Sequence, residues 1–452
     1  MNIVIVGIGK LGELLADNLS KEGHDIIVID TRSAKVEDII NQLDVKGVVG
    51  NGASYDVQMN AEVNKADLLI AVTSNDEINI ICCLLAKKLG VKQTIARVRN
   101  PEYNKQMSLM ANELGISMSV NPELDAANEI SRILRFPSAI KVETFANGSA
   151  DLVEIKVVSS SPLVHKSLMN IRMKYQMNFL ICAVKRDGKV IIPSGEFIIE
   201  ENDNIYITAN SQTLTKLFKT WGIYKAQVKD CIIVGGGKIS YYLADQLVNN
   251  GISVKIIEKD ETKCLELSEA LSKVSIIKGN GNNQKLLLEE GINTTDAIVT
   301  ITGMDETNII ISTFAKNMNV QKVITKVNGT SYGTILNSLG LDSIVSPKEI
   351  TSNNIIRYVR GMNCNHNAEF KTLYRLVENQ VAALEFFLPT ATNFTSIPIK
   401  NLKISKNSLI ACIIRNGDVI IPSGKDTIEA LDTIILVTAD AYVNDIMKVI
   451  QK

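Results

Sequence analysis

The sequence contains few of the residues that metal sites, disulfide frameworks and common catalytic sets require. Its 452 residues include three histidines, and its seven cysteines form no C-x-x-C pair. An odd number of scattered cysteines predicts reduced thiols. Met1 leads directly into an apolar run, so we expect no secretory signal. Ser-His-Asp, H-E-x-x-H and P-loop signatures are missing as well, so the sequence predicts neither a catalytic residue nor a metal ligand.

The sequence also lacks an excess of charge and a long apolar run. Its 48 basic and 49 acidic residues give a net charge of −1, which offers no bulk attraction to nucleic acid or to anionic lipid. The longest apolar candidate, residues 78–86, is interrupted by Asn79 and is much shorter than the roughly 20 residues of a membrane span. We therefore expect a cytoplasmic protein that binds no nucleic acid and reaches a membrane only through a partner.

The most informative feature that is present is a glycine turn that occurs twice. The motif G-I-G-K-L-G at residues 7–12 and the motif G-G-G-K-I-S at residues 235–240 each follow an apolar run. The offset between them is 228 (235 minus 7), and Asp30 and Glu258 keep it (258 minus 30). Two glycine turns in register, each with its own acidic residue, indicate duplicated nucleotide-binding domains.

The segments around and after the turns repeat in the same order. Short apolar strands alternate with helices after each turn, which is typical of a doubly wound parallel sheet. Farther along, R-D-G-K-V-I-I-P-S-G at 186–195 returns as R-N-G-D-V-I-I-P-S-G at 415–424, and both predict a hairpin. The predicted α/β fold has two Rossmann-like parallel-sheet domains, each followed by a small α+β domain. The predicted boundaries are 1–138, 139–222, 229–362 and 367–452.

The first glycine turn has the context of a phosphate-binding loop. Gly7 permits the tight turn, Gly9 lets the backbone approach a phosphate, and Gly12 allows close packing of helix and strand. Asp30 ends the second strand, where a carboxylate accepts hydrogen bonds from ribose hydroxyls. This position favours NAD or an adenine nucleotide over NADP, although Arg32 nearby weakens that exclusion.

Polar residues at other strand ends are expected on the same rim of the sheet. Asn51 and the pair Thr73–Ser74 each follow an apolar strand. Arg97 ends the next strand and Arg99 follows it, so either cation can pair with terminal phosphates or can remain a solvated rim charge. Asp76–Glu77 can bind a cation or can cap the helix that begins there, and we interpret them as helix caps.

The second turn departs from the pattern of the first. Ser240 stands where the first turn has Gly12, and Glu258 stands where the first half has Asp30. Gly237 is kept, and Gly236 adds backbone freedom. The second half is therefore either a second nucleotide site or a structural copy that has lost its ligand.

In combination, the two turns with their acids, the G-N-G elements at 50–52 and 279–281 and the paired P-S-G hairpins resemble the TrkA-type regulators of potassium uptake. These proteins are built of RCK (or KTN) domains, and the resemblance spans the whole chain. It implies two N-type domains that bind NAD(H) and ATP or ADP, each followed by a C-type domain. The implied site residues are Ile8, Gly9, Lys10, Leu11, Asp30, Asn51, Thr73, Ser74 and Arg97 in the first half, and Gly235, Gly236, Gly237, Lys238, Ile239 and Glu258 in the second.

The resemblance also implies how such a protein acts. It predicts a peripheral regulator, not an enzyme, that assembles as a dimer or tetramer ring on a TrkH-like, potassium-translocating membrane subunit. The surplus of apolar residues in the helix predicted at 77–89 is in keeping with self-association. Two alternatives stay open: an NAD-dependent oxidoreductase, which needs a proton donor near the nicotinamide, and a scaffold with vestigial sites.

Overall fold

A computed structural model describes most of the chain. The described residues are 1–111, 113–145, 150–224, 226–329, 332–341, 343–362, 369–376, 381–405, 407–439 and 446–451. The predicted boundary between 362 and 367 falls mostly on residues 363–368, which lie outside them. None of the helices in this part of the chain is long and apolar enough to span a bilayer.

The first glycine turn follows β1 of a six-stranded parallel sheet, whose strand order is β3-β2-β1-β4-β5-β6. Its strands are β1 (Asn2–Val6), β2 (Asp25–Asp30), β3 (Lys46–Val49), β4 (Leu68–Ala71), β5 (Gln93–Arg97) and β6 (Met118–Val120). Its helices are α1 (Lys10–Lys21), α2 (Ser33–Gln42), α3 (Tyr55–Asn60), α4 (Asp76–Lys88), α5 (Pro101–Met110) and α6 (Pro122–Arg135). The strand order reverses between β1 and β4, and a ligand crevice is expected at that point.

The second half repeats this sheet in the order β14-β13-β12-β15-β16-β17. Its strands are β12 (Asp230–Val234), β13 (Ser253–Glu258), β14 (Ser275–Lys278), β15 (Ala297–Thr300), β16 (Lys322–Lys326) and β17 (Ile344–Val345). Its helices are α9 (Lys238–Asn249), α10 (Glu261–Ala270), α11 (Gln284–Glu289), α12 (Asp305–Asn317), α13 (Gly333–Ser338) and α14 (Pro347–Met362).

A small antiparallel sheet follows each parallel one, which confirms the predicted fold class. The first contains β7 (Lys141–Phe145), β8 (Ala150–Lys156), β9 (Leu180–Arg186), β10 (Lys189–Ile191) and β11 (Asn204–Ala209), with helices α7 (Leu168–Tyr175) and α8 (Ser211–Thr220). The second contains β18 (Glu369–Leu376), β19 (Val381–Phe387), β21 (Ser408–Arg415), β22 (Asp418–Ile420) and β23 (Thr433–Thr438), while β20 (Lys403–Ile404) pairs with β24 (Ile450–Gln451).

Both predicted hairpins form between these short strands. Asp187 and Gly188 have φ of 50° and 76°, and Asn416 and Gly417 have φ of 53° and 89°. Two successive positive φ angles are what a two-residue turn between antiparallel strands requires. The two small sheets then pack against each other through a shared apolar cluster that includes Cys182 from the first and Cys412 from the second.

The last helix of each Rossmann-like unit packs against the other unit, so we call α6 and α14 the exchanged helices. In α6, Ala127, Ile130 and Leu134 belong to the core formed by β12, β13 and α9. In α14, Ile355, Ile356 and Val359 belong to the core formed by β1, β2 and α1. The predicted domain boundaries therefore stay a prediction. Neither the first nor the third predicted domain forms its core alone, because each is completed by a helix from the other.

Candidate functional sites at the two glycine turns

The first turn takes the chain from β1 into α1 with a geometry that requires glycine at two positions. Gly7 has a φ of +99°, and a side chain there would meet the backbone of Thr73 at 2.9 Å. A Cβ at Gly12 would lie 2.0 Å from the Gly7 carbonyl oxygen. Gly9 is the N-cap of α1 and has open space where a Cβ would project, and no side chain caps the helix. The free N–H groups of α1 therefore face an open position suited to a phosphate.

Asp30 holds this turn in place from below. One carboxylate oxygen accepts the Ile8 backbone N–H at 2.8 Å, and the other accepts the Arg32 backbone N–H at 3.0 Å. The Arg32 guanidinium donates to the same two oxygens at 3.0 and 3.2 Å. Burial by itself would raise the pKa of Asp30, but the hydrogen bonds from Arg32 and Ile8 outweigh it and lower that pKa.

This arrangement refines the role that the sequence predicts for Asp30. The carboxylate is 7% exposed and already accepts four protein hydrogen bonds. Asp30 also lines the first cleft, and its predicted hydrogen bonds to ribose hydroxyls stay a prediction. Asp30 is thus first a positioning residue for the turn, and Arg32 covers its outer edge.

Sequence reasoning missed a lysine that supports the same turn. The Lys35 ammonium donates to the Ile8 carbonyl oxygen at 2.7 Å, so both backbone groups of Ile8 are tied down. Lys263 stands at the matching place in the second half and lines its cleft. The signal was available, because the two lysines keep the offset of 228 (263 minus 35).

A buried asparagine in α4 fixes the opposite rim of the first cleft. The Asn79 side-chain oxygen accepts from the Thr73 backbone N–H at 2.9 Å and from its hydroxyl at 2.7 Å. The Asn79 amide donates to the Arg97 carbonyl oxygen at 2.9 Å. One side chain therefore joins the ends of β4 and β5. In the second half, Asn308 makes the same bonds to Thr302 and Lys326.

The interpretation of Asp76 and Glu77 as helix caps is only partly confirmed. Both lie in the first turn of α4, where acidic side chains suit the helix N-terminus, but neither is the N-cap. The residue that caps α4 is Asn75, whose side-chain oxygen accepts the Ile78 N–H at 2.7 Å. Asp76 lies one residue farther in, and it accepts the backbone N–H groups of Arg99 and Asn100 at 2.8 Å each. Asp76 is therefore an anchor for the loop after β5, because helix caps satisfy their own helix and this carboxylate does not.

The two arginines of the rim have different environments. Arg99 is held by Asp76 at 3.4 Å and by the Ser74 carbonyl, so it belongs to the loop anchor. The Arg97 side chain is 19% exposed and lies on the cleft, and its Nε is buried without a hydrogen-bond partner. Burial lowers the pKa of Arg97. Of these two arginines, Arg97 lines the first cleft.

The first cleft, of about 640 Å³, brings together most of the residues predicted for it. Its lining includes Gly7, Gly9, Lys10, Asp30, Asn51, Thr73, Ser74 and Arg97, together with Arg32 and Lys35. Three predicted residues do not line it. Ile8 and Leu11 are buried side chains, and Gly12 lies beneath the turn.

The second turn reproduces this construction with altered details. Glu258 accepts the Gly236 N–H at 2.5 Å and the Asp260 N–H at 2.9 Å, as Asp30 does for Ile8 and Arg32. Ser240 is accommodated where Gly12 stands in the first half, because its hydroxyl donates to the Gly235 carbonyl oxygen. The second turn is therefore intact and adjusted to serine.

The second cleft, of about 560 Å³, contains all six residues predicted for it: Gly235, Gly236, Gly237, Lys238, Ile239 and Glu258. The cleft also contains Glu123, which comes from α6 of the first half and which no motif in the chain indicates. Lys326, the counterpart of Arg97, lies in the same cleft and donates to the Thr302 carbonyl oxygen at 2.6 Å. Burial lowers the pKa of Lys326.

Domain profiles match along most of the chain. The TrkA-N domain profile matches residues 3–122 and 231–347, and the TrkA-C domain profile matches residues 152–220. The Trk system potassium uptake protein TrkA homolog of Archaeoglobus fulgidus is 32% identical over 96% of this chain and 97% of its own length. The Trk system potassium uptake protein TrkA of Halomonas elongata is 30% identical over 97% of this chain and 96% of its own.

Solved structures share the fold. The RCK domain of GsuK has a TM-score of 0.63 at 18% identity and covers 96% of this chain and 92% of its own. The GsuK channel bound to NAD has a TM-score of 0.62 at 18% identity, covering 97% of this chain and 76% of its own. GsuK bound to ADP has a TM-score of 0.51 at 16% identity, and the match covers 79% of this chain and 69% of the GsuK chain.

Proposed function

The chain belongs to the TrkA family, and from that premise we propose that it is the nucleotide-sensing regulatory subunit of a Trk-type potassium uptake system. It works at the cytoplasmic face of the membrane, attached to a TrkH-like subunit that carries potassium. The near full-length relatives, named for Trk potassium uptake, support this placement.

The observation that carries the proposal is the pair of matching clefts at the switch points of the two parallel sheets. In each, an uncapped helix N-terminus faces an open position, with a cation on the opposite rim. Such clefts suit the phosphates of NAD(H), ATP or ADP. The structures of the GsuK channel bound to NAD and of GsuK bound to ADP have the same fold and support these ligands.

Regulation then follows from differential affinity. A nucleotide shifts the assembly between two arrangements only by the difference in its affinity for them, typically about 1–3 kcal/mol. The exchanged helices α6 and α14 each complete the core of the other half, so the two halves shift together between these arrangements.

Isothermal titration of the purified chain with NAD, NADH, ATP and ADP tests nucleotide binding. We expect saturable binding and, when candidate substrates that can accept a hydride are added, unchanged NADH absorbance over hours, since an oxidoreductase would then oxidise the cofactor. Potassium flux in vesicles that hold the complex with the membrane subunit tests regulation. Equal flux with ATP, with ADP and with neither, in a verified complex, contradicts the proposal.

A further inference from the structure

The N-termini of the exchanged helices meet between the two nucleotide clefts. Pro122 begins α6 and Pro347 begins α14, and both line a central cavity of about 280 Å³. Lys10 of the first glycine turn and Ile239 of the second line the same cavity. The cavity therefore lies between the phosphate-binding ends of both clefts.

The second residue of each exchanged helix carries an opposite charge. Glu123 follows Pro122 and Lys348 follows Pro347, so the two residues occupy equivalent places (348 minus 123 and 347 minus 122 are both 225). Lys348 lines the central cavity beside Lys10 and Arg97 of the first half. Glu123 lines both the central cavity and the second cleft. The exchange thus brings an acid to the second cleft and a base to the cavity between the two clefts.

The Glu123 carboxylate is held in a partly dry position. Its side chain is 19% exposed, and one oxygen lies 3.8 Å from Arg97 Nη2 and 4.0 Å from Arg99 Nη1. Its other oxygen is buried and has no hydrogen-bond partner. A carboxylate so placed repels nearby negative charge more strongly than one in bulk water, since solvent screens it less.

The charged side chains that line the two clefts differ accordingly. The first cleft has four cations and one acid, which are Lys10, Arg32, Lys35, Arg97 and Asp30. The second has four cations and two acids, which are Lys238, Lys259, Lys263, Lys326, Glu258 and Glu123. Since Asp30 and Glu258 are equivalent, Glu123 is the acid that sets the second cleft apart.

We propose that Glu123 is a specificity-determining residue of the second nucleotide site, where it disfavours the additional terminal phosphate of ATP relative to ADP. The first cleft, whose lining has no counterpart of Glu123, accepts the more highly charged ligand. This inference rests on the proposed nucleotide binding.

Aspartate in place of a turn glycine isolates each site for the test. Side chains at Gly9 and Gly237 project into open space, and both residues are helix N-caps, a position that favours aspartate. Gly9→Asp and Gly237→Asp therefore preserve the helices and place a carboxylate where a phosphate would bind. Gly9→Asp leaves only the second site, and Gly237→Asp leaves only the first.

The experiment is titration of the full chain with ATP and with ADP in EDTA, so that no divalent cation offsets the phosphate charge. In the Gly9→Asp protein, Glu123→Gln is expected to raise the ratio of ATP to ADP affinity by about fivefold. Glu129→Gln, on the same helix but outside both clefts and the cavity, is expected to leave that ratio unchanged. In the Gly237→Asp protein, Lys348→Gln is expected to lower the ratio.

The outcomes separate this inference from the proposed function. An unchanged ratio after Glu123→Gln, in a protein that still binds both nucleotides, overturns the role of Glu123. An equal change after Glu129→Gln overturns it too, because the effect would then belong to the helix and not to the site. If the unmodified chain binds neither nucleotide, the proposed function itself fails.

Discussion

The Arg360 guanidinium at the end of α14 donates two hydrogen bonds, of 3.0 and 2.7 Å, to the carboxylate of Glu22 beside α1. The two residues are 338 positions apart in the chain, and their side chains are 11% and 8% exposed. A bidentate pair so nearly buried fixes one exchanged helix against the half that it completes.

Arg360→Ala is expected to lower the free energy of unfolding by about 3 kcal/mol, because the substitution leaves the Glu22 carboxylate buried without its guanidinium. Arg135→Ala is the matched control, since Arg135 occupies the equivalent place on α6 and is exposed. Denaturant unfolding followed by circular dichroism measures both. Equal losses in the two variants would contradict a special role for the pair.

Asp125 connects the two exchanged helices, accepting from the Thr351 hydroxyl at 3.2 Å and the Asn354 amide at 3.1 Å. Burial outweighs these bonds and raises its pKa above the ordinary value of 3.8. The folded protein therefore binds this proton more tightly than the unfolded chain, and Asp125 reduces stability as pH rises through its folded pKa.

Asp125→Asn is accordingly expected to be more stable than the wild type at neutral pH, with an advantage that disappears as pH falls toward 3.8. Melting temperatures of both proteins across this range measure the difference. An advantage that stays constant with pH would show that ionisation of Asp125 is not its cause.

Asn79→Ala is expected to cost about 1–3 kcal/mol of stability, because it leaves backbone groups of Thr73 and Arg97 without their partner in a dry site. The substitution should also weaken nucleotide binding at the first cleft, because Asn79 holds together the two strand ends that form the rim of this cleft. The matched variant Asn308→Ala should do the same at the second cleft only. Titrations in the Gly9→Asp and Gly237→Asp proteins measure nucleotide affinity at each cleft separately. If either asparagine variant lowered the affinity of both clefts, the idea that each asparagine supports only its own rim would be wrong.

Arg97→Ala is expected to lower ATP affinity at the first cleft by about tenfold, the effect of losing one charge-assisted contact, while ADP affinity changes little. Arg99→Ala serves as the comparison, because Arg99 is held by Asp76 and Ser74 and acts on loop position. In the flux assay, the Arg97 variant should respond less to the exchange of ATP for ADP. A variant with the wild-type ATP-to-ADP affinity ratio would exclude Arg97 as the reader of the terminal phosphate.

Self-association is expected to involve the outer faces of α4 and α12. Ile81 is 46% exposed and its counterpart Ile310 is 63% exposed, whereas the buried face of α4 is formed by small or polar residues such as Cys82 and Asn79. Replacing both isoleucines by aspartate should convert an oligomer to a smaller species in light scattering. Leu265→Asp, equally exposed on α10, should not. A wild type that remains a monomer at all concentrations would remove the basis for a ring.

The sequence was sufficient for features set by neighbouring residues. The glycine turns, the acids that end β2 and β13, and the two hairpins follow from local backbone geometry and apolar periodicity, and each lies where the pattern predicted it. In the sequence, Asn79 is only an interruption of an apolar run. Because a buried polar side chain needs hydrogen-bond partners, Asn79 bonds to the ends of two neighbouring strands.

The tertiary structure alone decided which half each final helix completes. An amphipathic helix specifies that one face is buried but not the sheet that buries it, so the sequence could not reveal that α6 and α14 are exchanged. Because of that exchange, Glu123 belongs to the second cleft although it precedes the second glycine turn by more than a hundred residues. Local patterns fixed each turn and strand, whereas the neighbours of α6 and α14 were set by long-range packing, which no periodicity in the chain records.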